Sequence, residues 1–195
     1  MNLHSFNISI RSSVKASSLL ILNSVLFIIG TIFSFIASQP PAYIPLGIAF
    51  GLSSVTGALF FLQNSKSIKT WNWYTYYSLF IVIITILSYL YSQEAFTIPL
   101  LGYLSLGQSL LLLSLATDLR NQSSVDWIIP ARPSGLAILF SVMLIIHPVF
   151  NFIPIVLIIA GIFIMIALSY ILLVSEFKKL NRHYKSIKIL SRDLK

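Results

Sequence analysis

The sequence predicts an all-α integral membrane protein: six transmembrane helices arranged as three tandem two-helix hairpins in one membrane domain. Three observations predict it. Of 195 residues, 57% are hydrophobic and only 9% are charged, against roughly 25% charge in a soluble domain. Four stretches, 16–65, 70–93, 95–117 and 133–175, contain no Asp, Glu, Lys or Arg. Within them a short proline motif recurs every 54 or 55 residues.

A membrane-spanning helix needs about 20 predominantly apolar residues. The two shorter stretches therefore hold one helix each, and the two longer ones hold two helices and a tight turn. The expected spans are 18–37, 43–62, 73–92, 96–116, 134–147 and 152–174, with Trp127 as an earlier point of entry to the fifth. The apolar run of the first is too long for the h-region of a signal peptide, which has about 7–15 residues, and it is expected to stay.

The 13 basic residues fix the topology. Arg11 and Lys15 precede the first span, Lys66 and Lys69 follow the second, Arg120 and Arg132 lie between the fourth and fifth, and seven more follow the sixth. The alternate turns, 38–42, 93–95 and 148–151, carry no Lys or Arg and a single acid, Glu94. Short cytoplasmic loops carry the excess of Lys and Arg, so both termini are expected in the cytoplasm. The net charge of +8 is thus an orientation signal and calls for no nucleic acid.

The repeat reads Tyr43-Ile44-Pro45-Leu46, Thr97-Ile98-Pro99-Leu100 and Phe152-Ile153-Pro154-Ile155. Ser38-Gln39 and Ser92-Gln93 stand upstream of the first two copies, and His147-Pro148 fills that place in the third. Gly51, Ser105 and Ala160 follow each proline by six positions, and Trp73 and Trp127 open the second and third units. Proline suits the first turn of a returning helix, where its missing N–H has no intrahelical partner. The hairpin units are 18–62, 73–116 and 127–174, parallel copies rather than inverted ones. Small residues mark expected helix contacts: Gly30, Ser34 and Ser38 on the first span, Gly47 and Gly51 as a GxxxG pair on the second.

Three two-helix units, a Trp entering the later ones, the His147-Pro148 turn and the run from Ile153-Pro154 to Gly161-Ile162 before a basic tail resemble the HdeD family of small membrane proteins. The resemblance extends over 18–180, and the third and fifth spans depart from it by lacking mid-helix glycines. It implies a six-span inner or plasma membrane protein, linked in the family's namesake to acid resistance, and brings no catalytic residues.

The chain offers little chemistry. With no cysteine, thiolate catalysis and Cys-ligated metal centres are excluded. No ionisable side chain is expected near a bilayer midplane, where proton relays and ion couplers place theirs. Arg132 is expected to snorkel to the cytoplasmic face beside Asp126 or Asp118, or to meet a lipid phosphate. His147, with Glu94, could titrate on the outer face; the simpler reading is a polar helix end. Asn23 and Gln108, the amides within the spans, either bond between helices or line a polar pathway. The aromatic stretch 71–77 reads as an interfacial belt rather than a base-stacking surface. The tail, 176–195, has Phe177, Leu180, Tyr184, Ile187, Leu190 and Leu194 at three- and four-residue spacing between basic residues, an amphipathic helix suited to anionic inner-leaflet lipids.

The expected function is non-enzymatic: an HdeD-like plasma membrane protein acting in envelope stress, with no catalytic, cofactor or metal site and no cofactor. Its partners are the lipid bilayer and, as further contacts, a second copy or a membrane complex. An accessory subunit of a larger membrane assembly is the alternative, and a passive channel or small-solute transporter the third reading.

Overall fold

The computed structural model describes residues 14–36, 43–65, 71–90, 97–121, 125–147 and 153–193. Six α-helices form among them: α1 (Ser17–Ile36), α2 (Tyr43–Asn64), α3 (Trp71–Leu90), α4 (Thr97–Asp118), α5 (Ile128–Ile145) and α6 (Ile155–Asp193). Pro45 and Pro99 occupy the first turns of α2 and α4, as the missing N–H requires. Pro154 stands just outside α6, its carbonyl accepting from Leu157 N at 3.0 Å. The fifth helix takes the earlier entry: it starts directly after Trp127 and contains Pro133.

Polarity is turned inside out. On α1, Ile21, Leu22, Val25, Ile28, Ile29 and Ile32 are exposed, whereas Asn23, Ser24 and Thr31 are buried. The same inversion recurs at Ser53 and Ser54, at Ser105, Gln108 and Ser109, at Ser134 and Ser141, and at Ser169. Buried hydroxyls bond to the turn behind them, as Ser109 does to Ser105 O (2.7 Å) and Ser141 to Ala137 O (2.7 Å). Apolar faces this extensive are not tolerated in water. Stretches in α2, α4, α5 and α6 (Gly47–Asn64, Ile98–Asp118, Ile128–Ile145, Ile155–His183) are long and apolar enough to cross a membrane, and those of α1 and α3 are shorter. These are the features of a membrane-embedded helical protein.

The helices form an arc in the order α3, α2, α1, α6, α5, α4, with α4 also leaning across toward α6. Neighbours in the arc pack extensively, but its two ends, α3 and α4, meet only lightly. Thus the sequence pairs α1/α2 and α5/α6 lie side by side, while the middle pair splits. Aromatic packing explains one half of the split: Phe60 and Phe61 of α2 hold Trp71 and Tyr74 of α3, with ring centroids 5.3–5.9 Å apart. Gly102 explains the other. A Cβ there would stand 3.2 Å from the Ile145 backbone N and 3.4 Å from Ser141 O, so α4 seats directly on the backbone of α5. The expected GxxxG contact on α2 is seen at one glycine, since Gly51 approaches Thr85 while Gly47 has nothing within 4 Å among the described residues. Gly30 does make a close approach, lying under the ring of Phe163.

One end of the bundle gathers the polar anchors. Asn181 of α6 grips Val14 through N–H (2.8 Å) and C=O (2.9 Å), and Asn64 of α2 grips Lys15 in the same way (2.8 and 3.0 Å). Held on both residues, the chain turns into α1 through Ala16 at φ 55°. That left-handed conformation costs a Cβ-bearing residue about 1–2 kcal/mol. Ala16→Gly is therefore expected to stabilise the fold by about 0.5–1 kcal/mol, once glycine's extra unfolded-state entropy is subtracted. A raised unfolding midpoint in detergent micelles would register it, and a lowered one would show that Ala16 is not strained.

The segment expected to lie as an amphipathic helix on the inner leaflet starts inside the bundle. Glu176, Phe177 and Leu180 are buried, and Glu176 accepts from Asp126 N at 3.1 Å and pairs with Lys179 at 2.5 Å. Beyond Asn181, α6 continues unbroken to Asp193. At 1.5 Å per residue its 39 residues run about 58 Å, nearly twice the thickness of a hydrocarbon core.

Candidate functional site

Both predicted amides converge on one buried hydroxyl. Asn23 of α1 and Gln108 of α4 are 0% and 3% exposed, and Tyr170 of α6 is 2% exposed. Gln108 Nε2 donates to Tyr170 Oη. The Tyr170 hydroxyl also faces Asn23 and Ser53. Asn23 Oδ1 in turn accepts from the hydroxyl of Thr56, one turn beyond Ser53 on α2. Gly57 leaves room beside this pair, since a Cβ there would stand 4.0 Å from Asn23 Nδ2. Three helices thus place amides and hydroxyls around one tyrosine on a fourth. Phe27, whose ring stacks on Tyr170 at 6.1 Å, Phe50 and Phe163 close the network on one side.

The network is incompletely satisfied. Asn23 Nδ2, Gln108 Oε1, Ser53 Oγ and Ser54 Oγ are buried without a hydrogen-bond partner among the described residues. Such groups are costly in an apolar medium. The cluster offers neutral donors and acceptors and no carboxylate or amine. It suits the locking of helix register or the holding of a small neutral guest, rather than proton relay.

The remaining predicted residues do not join it. Arg132 is exposed on α5, and both carboxylates expected beside it bond elsewhere. Asp118 Oδ2 accepts from Trp71 Nε1 (3.3 Å) and Tyr74 Oη (2.8 Å), and Asp126 Oδ1 accepts from Ile128 N (3.0 Å). Arg120 stacks over Trp127, 5.6 Å from its ring centre. His147 Nε2 lies 3.3 Å from Ile153 O, bridging the end of α5 to the residues before α6. Glu94, its expected companion, lies outside the described residues, as do Arg11, Lys66, Lys69 and the turns 38–42, 93–95 and 148–151. The belt divides: Trp73 and Tyr76 are 74% and 64% exposed, but Trp71 is wholly buried. Among the described residues no group of three His, Asp or Glu could hold a metal ion.

Sequence reasoning missed Tyr170, Ser53 and Thr56. A phenol inside an apolar span was the available signal, because a buried Tyr O–H requires a partner. The i, i+3 placing of Ser53 and Thr56 on one face of α2 was the second. Neither a known protein family, nor a curated protein, nor a solved structure matches this chain.

Proposed function

We propose that the chain is a non-enzymatic, six-span plasma membrane protein of the HdeD-like type, with both termini cytoplasmic, acting in membrane stress such as acid exposure. The observation that carries the reading is the inverted polarity. Amides and hydroxyls are shared between helices inside, and large aliphatic side chains face outward. Described charged groups, Lys15, Asp118, Arg120, Asp126, Glu176 and Lys179 among them, collect toward the end where Val14 meets Asn181. That gathering agrees with a cytoplasmic face rich in Lys and Arg. The passage of α6 well beyond the bundle favours a second reading, an accessory subunit that docks a partner on this projecting basic helix.

Topology and role are tested together. Because the chain has no cysteine, single Cys probes at Ser38, Gln93 and Asn151 are expected to label from outside intact cells, and probes at Ser67 and Ser124 only after lysis. In cells lacking the protein, survival of acid shock is expected to fall and to return with the wild-type chain. Unchanged survival sinks the stress reading. Stable partners on native gels would favour the subunit instead.

A further inference from the structure

The light contact between α3 and α4 leaves a cleft of about 540 Å³ at the open ends of the arc. One wall is aromatic: Trp73, Tyr74, Tyr76, Tyr77 and Phe80, spaced i, i+1, i+3, i+4 and i+7, form a single broad face of α3. The other wall is Leu110, Leu111 and Ser114 of α4. The cleft has a floor because α4 carries glycine at 107. A Cβ there would lie 2.0 Å from Tyr77 Oη, so only Gly107 lets the Tyr77 hydroxyl reach across to α4.

Its charge character is one-sided. Among the described residues no Lys or Arg lines it. The Trp73 and Tyr76 rings stand at 85° with centroids 6.5 Å apart, two walls of a corner. Tyr74 donates its O–H to the Asp118 carboxylate at 2.8 Å, which enriches the electron density of its ring. Aromatic faces attract a cation within about 6 Å of their centroids, and cages of such rings select quaternary ammonium groups. Below that corner, Phe80 and Leu110 offer only hydrocarbon. Along α3, Phe80 lies seven positions and about 10 Å beyond Trp73, room for one alkyl chain.

We infer that this cleft binds single-chain alkylammonium amphiphiles, the ammonium in the corner of Trp73 and Tyr76 above Tyr77, and the chain along Phe80 and Leu110. Electron-rich rings argue against an anionic headgroup. The floor at Tyr77 and Gly107 argues against a two-chain lipid.

The test is calorimetric titration of the full chain in lipid nanodiscs, with empty nanodiscs as the blank. The probes are octyltrimethylammonium, octanol and octyl sulfate. Saturable binding of the ammonium probe is expected, about ten-fold or more tighter than either of the others, the order of selectivity that two cation–π contacts supply. The double variant Trp73→Leu, Tyr76→Leu keeps apolar bulk but removes the two ring faces at largely exposed positions. It is expected to lose about ten-fold in ammonium affinity with an unchanged unfolding midpoint. Three results would overturn the inference: equal affinity for octanol, which would make the cleft a seat for a lipid tail; undiminished ammonium binding by the double variant; or no saturable binding beyond the blank.

Discussion

Trp71→Ala is expected to destabilise the protein by about 3 kcal/mol, the lower end of the range for removing a fully buried Trp. Trp71 is 0% exposed, and its ring packs against Phe60, Phe61 and Phe177 with centroids 5.6, 5.9 and 6.0 Å away, joining α3 to α2 and α6. The lower end applies because helices in lipid gain little from hydrophobic transfer, so the loss is chiefly one of packing. Alanine also removes the indole N–H that Asp118 accepts at 3.3 Å, leaving Tyr74 to hold that carboxylate alone. Trp71→Phe, which keeps most of the packing and loses only that bond, is expected to cost about 1 kcal/mol. Trp73→Ala, two residues on and largely exposed, should cost less than 0.5 kcal/mol or so. Denaturation in mixed micelles ranks the three variants. Equal losses for Trp71→Ala and Trp73→Ala would show that the aromatic cluster does not hold α3 in place.

That contrast marks where the sequence stops being legible. Helix positions are readable because a membrane imposes length: the charge-free stretches bracket α1 to α4 to within a few residues, whereas α5 begins before Pro133 and α6 runs on past Ser175 to Asp193. The inward face of each helix is much harder to read. In water, an amphipathic stripe separates core from solvent. Here the solvent is as apolar as the core, so Trp71 and Trp73 look alike in sequence although one is wholly buried and the other mostly exposed. Small polar residues carry what orientation signal there is. Asn23, Ser53, Ser105, Gln108 and Ser141 all point inward, and their identity, more than any apolar period, gives them away.

Helix order is the second loss. Asn23 and Gln108 can be recognised as groups needing partners, but the partner they share stands on α6, 62 residues from Gln108. Tandem hairpins would have set α3 against α4. The arc instead gives α3 to α2 through the rings of Phe60 and Phe61, and α4 to α5 through the close approach at Gly102.

The Tyr170 network yields the second large expected effect. Tyr170→Phe preserves the ring that stacks on Phe27 and deletes only the hydroxyl. Gln108 Nε2 then joins Gln108 Oε1, Asn23 Nδ2 and Ser53 Oγ as buried groups without partners. Interhelical hydrogen bonds in membrane proteins average about 0.6 kcal/mol and reach about 1.7. The bond to Gln108 is wholly buried and its loss orphans the amide N–H, so a loss toward the upper end of that range, about 1.5 kcal/mol, is expected. If the cluster acts as one unit, removing the other partner should rescue part of that loss, since two apolar groups of matching shape cost less than one orphaned amide. In a double-mutant cycle, Tyr170→Phe with Gln108→Met is therefore expected to be less damaging than the sum of the two single changes by about 1 kcal/mol. Strict additivity would mean that Tyr170 and Gln108 are neighbours without being coupled. The inward amides would then be locking register through separate pairs, Asn23 with Thr56 chief among them, rather than through a shared tyrosine.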